Sequence, residues 1–149
     1  MNEKADKTDT ILNTTLSRGR KADTTIGEGS FAFGNNVVAS NTYTHAEGTQ
    51  TNATGKSSHA EGQSTTASGT GAHAEGGATT ASGSFAHAEG MVAFATGEYS
   101  HAEGVWNTLA SGFSTHAEGA GVEANANVMH VQGMYNIPDT VYPVWTKNT

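Results

Sequence analysis

The sequence predicts an all-β fold, a parallel β-solenoid of 14-residue coils, and three observations predict it. First, all seven histidines occupy one phase of one repeat. The tetrapeptide His-Ala-Glu-Gly begins at His45, His59, His73, His87, His101 and His116, and His130 opens the variant His-Val-Gln-Gly. Every step is 14 residues except the one of 15 between His101 and His116. Second, Ala39, Ala53, Ala67, Ala81, Ala95, Ala110 and Ala124 form a parallel ladder, with Gly55, Gly69, Gly83, Gly97 and Gly112 two residues beyond most of them. Third, Leu, Ile, Val and Phe total only 20 of 149 residues, too few for a conventional core to offset chain entropy. Stacked coils with a lumen of small side chains reconcile that composition with a fold. Fourteen residues are too few for a helical hairpin and enough for two strands of about five residues with glycines at the corners.

Residues 1–26 are read as an N-terminal attachment or trimerisation segment. Within it, 3–17 is expected to be a short helix or an extended stretch, with Ala5, Ile11, Leu12 and Leu16 as its apolar residues. The spacing is irregular, and such a helix alone would be marginal. Residues 27–133 are read as the roll, of about eight coils. One step before His45 falls Phe31, inside Ser30-Phe31-Ala32-Phe33-Gly34. In the later coils the residues flanking the histidine are small: Thr44/Ala46, Ser58/Ala60, Ala72/Ala74, Ala86/Ala88, Ser100/Ala102 and Thr115/Ala117. Strand alternation turns these inward and turns His and Glu outward. Gln50, Asn52, Gln63, Ser64, Thr65, Thr66, Thr79 and Thr80 read as the solvated side of the second strand. The extra residue lies in Val105-Trp106-Asn107-Thr108-Leu109 and is expected to bulge as a loop. Residues 134–149, with Pro138, Pro143 and aromatics from Tyr135 to Trp145, read as an extended tail.

The outward face carries the functional expectation. Its first coil replaces His and Glu by Phe31 and Phe33, and two phenylalanines on a free strand face would invite association. The face is therefore expected to be buried against other copies of the chain. The interface would comprise Phe31, Phe33, His45, Glu47, His59, Glu61, His73, Glu75, His87, Glu89, His101, Glu103, His116, Glu118, His130 and Gln132. Glutamates stacked ~4.8 Å apart repel by roughly 1 kcal/mol per neighbouring pair even in water. Imidazoles can donate to these carboxylates, so an interchain His–Glu hydrogen-bond ladder is expected. Whether acid strengthens or weakens it depends on geometry.

Ser-Phe-Ala-Phe-Gly and Ser-His-Ala-Glu-Gly, alternating with Ala-Ser-Gly or Ala-Thr-Gly every 14 residues, resemble the head repeats of trimeric autotransporter adhesins. They are closer still to the His-Ala-Glu-Gly repeats of phage and prophage tail fibres and appendages. The resemblance covers about 27–136 and the preamble from Leu16 to Thr25. It implies a left-handed parallel β-roll, three chains side by side, and the histidine strand lining the trimer interior. In similar phage proteins a segment like the one after His130 leads into a self-cleaving assembly chaperone. Because the sequence stops at Thr149, a short member or a processed piece is expected.

Other chemistries fit less well. Catalysis needs one convergent constellation, whereas this ladder repeats the same pair, so no catalytic residue and no enzyme are expected. No cofactor is expected either. The spacing is not the helical His-Glu-x-x-His zinc motif. Three chains could form axial imidazole rings from His45, His59, His73, His87, His101, His116 and His130, which are metal candidates only if such ions exist. A threonine array for ice binding is broken by Thr51-Asn52, Ala93-Phe94 and Val122-Glu123. Phe85, Phe94, Tyr99, Trp106 and Phe113 lie outside the axial phase and either cover the roll's edges or stack on a sugar. Trp106, in the insertion, is the first choice for a host-surface glycan contact. Arg18, Arg20 and Lys21 read as a solvated basic turn, or as a grip on other virion proteins through the N-terminal segment.

Composition limits the rest. The net charge is −7, and residues 31–133 hold eight acids against Lys56 alone, which argues against wrapping nucleic acid. No run of about 20 apolar residues occurs and the charged stretch Met1 to Asp6 lacks the apolar segment of a secretory signal, so neither membrane insertion nor secretion is expected; the chain contains no cysteine. The expected role is a trimeric structural fibre component of a phage or phage-like particle, assembled in the host cytoplasm and located on the virion. A bacterial cell-surface adhesin head is the alternative.

Overall fold

The computed structural model describes residues 16–135. The expected N-terminal helix falls outside that range apart from Leu16 and Ser17, and these two open a strand. The expected extended tail also falls outside it apart from Met134, which ends a strand, and Tyr135. Within the described residues the chain is all-β and contains 13 strands in one parallel sheet wound into coils. They are β1 (Leu16–Arg20), β2 (Phe31–Ala39), β3 (His45–Thr49), β4 (Asn52–Ala53), β5 (His59–Gln63), β6 (Thr66–Ala67) and β7 (His73–Ala74). The remainder are β8 (Thr80–Ala81), β9 (His87–Ala95), β10 (His101–Ala110), β11 (His116–Ala120), β12 (Glu123–Ala124) and β13 (His130–Met134).

Two ladders run along the solenoid, as the repeat requires. The first stacks β2, β3, β5, β7, β9, β10, β11 and β13 with no slip: Phe31 opposite His45, Phe33 opposite Glu47, then His on His and Glu on Glu. The second joins β4, β6, β8 and β12 to the far halves of β2, β9 and β10. β1 pairs with β2, Leu16 opposite Phe31, so the stacked strands begin before residue 27. The inserted residue breaks register only between Val105 and Thr108, where Trp106 and Asn107 both take positive φ.

The lumen is as narrow as the composition demands. Ala46, Ala53, Ala60, Ala67, Ala74 and Ala81 are completely buried, and Val37 and Val122 are the largest side chains inside. Thr65 and Thr79 correct the sequence reading: both are fully buried, not solvated. Each lies two residues before a luminal alanine, so strand alternation points it inward whatever its polarity. Several buried hydroxyls bond to backbone carbonyls, among them Thr108 to Gly119 at 3.0 Å and Thr115 to Gly112 at 2.9 Å. Those of Thr51, Ser58 and Thr65 have no partner.

The corners differ from expectation in their residues. The chain turns at left-handed positions spaced seven apart, such as Gln50 and Ser57, or Val92 and Tyr99, and most are not glycine. Each coil is thus two similar halves. The repeated glycines serve a different need, the close approach of stacked backbones. A Cβ on Gly69 would lie 1.9 Å from the carbonyl oxygen of Gly83, and one on Gly62 2.2 Å from that of Gly76.

Candidate functional site

The first ladder projects its histidines as one column. Because identical residues are in register, each imidazole lies over the next, with ring centroids 4.4–4.7 Å apart from His45 to His130. Between His59 and His116 the rings are parallel to within 2–4°. Phe31 continues the column, 4.7 Å from His45, and also stacks on Phe33, which is 43% exposed. The glutamates make a second column beside the first. All the residues expected from sequence on this face are therefore brought together, from Phe31 to Gln132.

The geometry of the His–Glu pairs is specific. Nε2 is the nitrogen turned to the carboxylates. It approaches the glutamate of its own coil at 3.4 Å in His45 and His59, 4.0 Å in His73 and 3.9 Å in His87. His87 and His101 also face the glutamate of the preceding coil, at 3.7 Å from Glu75 and 3.8 Å from Glu89. The His45–Glu47 contact has the angles of a hydrogen bond. The Nε2 atoms of His59, His73, His87, His101 and His116 are closed to solvent and have no hydrogen-bond partner. The side chains themselves remain about one-third exposed along one edge.

Two histidines of the stack, His59 and His101, resist charging. Desolvation lowers the pKa of His59, neighbouring His45 and His73 lower it further, and Glu61 and Glu75 partly oppose this. His101 is lowered in the same way by burial and by His87 and His116, against Glu89. At these two positions the surroundings thus favour the neutral imidazole.

The remaining sequence candidates lie on the edges. Trp106 is 54% exposed at the inserted corner and stacks on Tyr135 at 6.4 Å. Phe85, Tyr99 and Phe113 form a strip on the opposite corner, with centroids 5.6 and 5.5 Å apart. Tyr43, at the equivalent corner three coils before Phe85, is not singled out by the sequence reading, although its 14-residue offsets carry the signal. Phe94 is half-buried on the second strand. A shallow open depression runs beside the glutamates, lined by Glu75, Gly76, Glu89, Gly90, Glu103, Gly104 and Val105. The sequence matches no family model and none of the curated proteins.

Proposed function

We propose that the chain is a structural, non-enzymatic component of a trimeric fibre or appendage of a phage or phage-like particle. In this reading three rolls pack side by side through the histidine–glutamate face and form a rigid rod of roughly 38 Å for eight coils at ~4.8 Å each. The observation that carries it is the continuous column from Phe31 to His130, half-exposed on a single chain and ending in two stacked phenylalanines. The phenylalanines at its end lose water favourably when another copy covers them, and the histidines stand where they can pair the glutamates that are covered with them. The many equivalent pairs, with no single convergent constellation, fit a structural ladder better than an active site. The resemblance of the repeats to phage appendage proteins supports the particle; a rod with three copies of each exposed corner gains avidity for a surface.

Light scattering on the full chain tests the assembly: three times the 15.3 kDa chain mass is expected, and a stable monomer overturns it. Immunogold microscopy tests the location. Label on particle tails or appendages is expected, whereas label confined to the bacterial envelope supports an adhesin instead. Trp106→Ala is expected to leave the assembly intact and to weaken attachment to host cells if the inserted corner meets a glycan.

A further inference from the structure

We propose that the ladder binds divalent transition-metal ions, each held by one imidazole Nε2 and by carboxylate oxygens from its own coil and the preceding one. Glu75, His87 and Glu89 make the reference site. Their ligand atoms converge within 4.8 Å of one another, and Glu61, His73 and Glu75 repeat the arrangement one coil earlier. Both triads come from one chain, so the site does not depend on how many chains assemble. It also differs from an axial ring of imidazoles, which needs three.

The distances favour an ion over a hydrogen bond. His87 Nε2 lies 3.7 Å from Glu75 Oε1 and 3.9 Å from Glu89 Oε2. N–H···O bonds are about 2.7–3.2 Å, so both contacts are too long. Ligands around a tetrahedral ion, with bonds of ~2.0–2.2 Å, stand about 3.3–3.6 Å apart. Contraction by a few tenths of an ångström would bring both nitrogen–oxygen distances to that spacing, and the carboxylate oxygens, within 4.8 Å of each other, would close on the ion by side-chain rotation. The donor nitrogen is available for this: Nε2 of His87, like that of His73, is closed to solvent without a partner, and an imidazole that carries no proton there offers an ion its lone pair.

Charge points the same way. Residues 31–133 carry eight acids and one lysine, and the glutamates stack in register. A cation between successive carboxylates replaces repulsion by attraction. Glu75 offers a different oxygen to each neighbouring site, so one carboxylate can bridge two ions. A mixed imidazole–carboxylate set selects Zn²⁺, Ni²⁺ or Cu²⁺ over Mg²⁺ and Ca²⁺, which prefer all-oxygen shells.

Calorimetric titration of the full, untagged chain with ZnCl₂ tests the proposal. Saturable binding of at least one Zn²⁺ per chain is expected, with a raised Tm that EDTA reverses and equimolar MgCl₂ does not reproduce. His87→Gln is expected to lower the Zn²⁺ stoichiometry and shrink the Tm rise. No binding heat and no Tm shift with millimolar zinc would overturn the proposal, as would unchanged stoichiometry in a folded His87→Gln protein. If that variant does not fold, Co²⁺ absorption of the unaltered chain decides. All seven histidines lie in the ladder, so imidazole-ligated cobalt can report on nothing else. A spectrum identical to aqueous Co²⁺ overturns the inference.

Discussion

One luminal position of each second half-coil is filled by Val37, Thr51, Thr65, Thr79, Ala93, Thr108 and Val122, all fully buried. Thr108 finds carbonyls for its hydroxyl, but Thr65 finds none. Valine already fits this position in two coils, so Thr65→Val keeps the shape and removes an unpartnered polar group. Chemical denaturation is expected to show a gain of about 1 kcal/mol. A similar case exists at the corners. Val92 holds φ at 59°, where a β-branched residue is strained by about 1–2 kcal/mol. Asn36 occupies the matching corner of the first coil at the same φ. Val92→Asn is accordingly expected to raise the unfolding free energy by about 1 kcal/mol; a fall would show that the corner is held by packing of Val92 instead.

Between stacked coils, the glycines divide into two kinds. Gly69 approaches the carbonyl of Gly83 so closely that a methyl group has no room, and Gly69→Ala is expected to cost about 3 kcal/mol or to unfold the roll. At Gly77 an added Cβ meets only Met91 Cγ at 3.7 Å, and its φ is not in the left-handed region. Gly77→Ala should therefore stabilise by about 0.5–1 kcal/mol, and thermal melts of the two variants side by side separate these outcomes. The strands themselves were legible in the sequence, because His, Ala and Gly recur in fixed phase and the backbone ladder keeps that phase. Which way Thr65 and Thr79 point was misread by polarity, although Ala67 and Ala81 two residues later already marked the inward side. The corners were assigned to glycine, yet the chain turns at Gln50, Ser57, Phe85 and Tyr99, whose side chains carry no signature of positive φ. The His–Glu column was visible as spacing. The loss of hydrogen-bond partners at Nε2 was not, since it depends on tenths of an ångström.

For the molecule as a whole, the lowered pKa values of His59 and His101 set the direction of acid sensitivity. His59 faces His45, His73, Glu61 and Glu75, and His101 faces His87, His116 and Glu89. With the folded values below the ordinary value of about 6.5, the unfolded chain takes up protons first as pH falls. The contribution to stability is complete above about 6.5 and declines below it. In EDTA, the Tm is expected to be lower at pH 5 than at pH 7.5; an unchanged or higher Tm would contradict the assigned direction. Because each coil contacts its neighbours alone, removal of residues 59–72 should leave a cooperative fold with a modest drop in Tm. Removal of 59–65 would instead exchange the two half-coils and set histidines against threonines.

Strand partners in the histidine ladder from Phe31 to Met134 are separated by only 14 or 15 residues of chain. Parallel sheets ordinarily fold slowly, because distant segments must meet before any contact rewards the closure. Here each closure is one short loop, so a nucleus of two coils can zip forward at a rate that does not fall as the array lengthens. Such a chain can begin to set on the ribosome as each coil emerges, and its reach can grow by whole coils at no kinetic penalty.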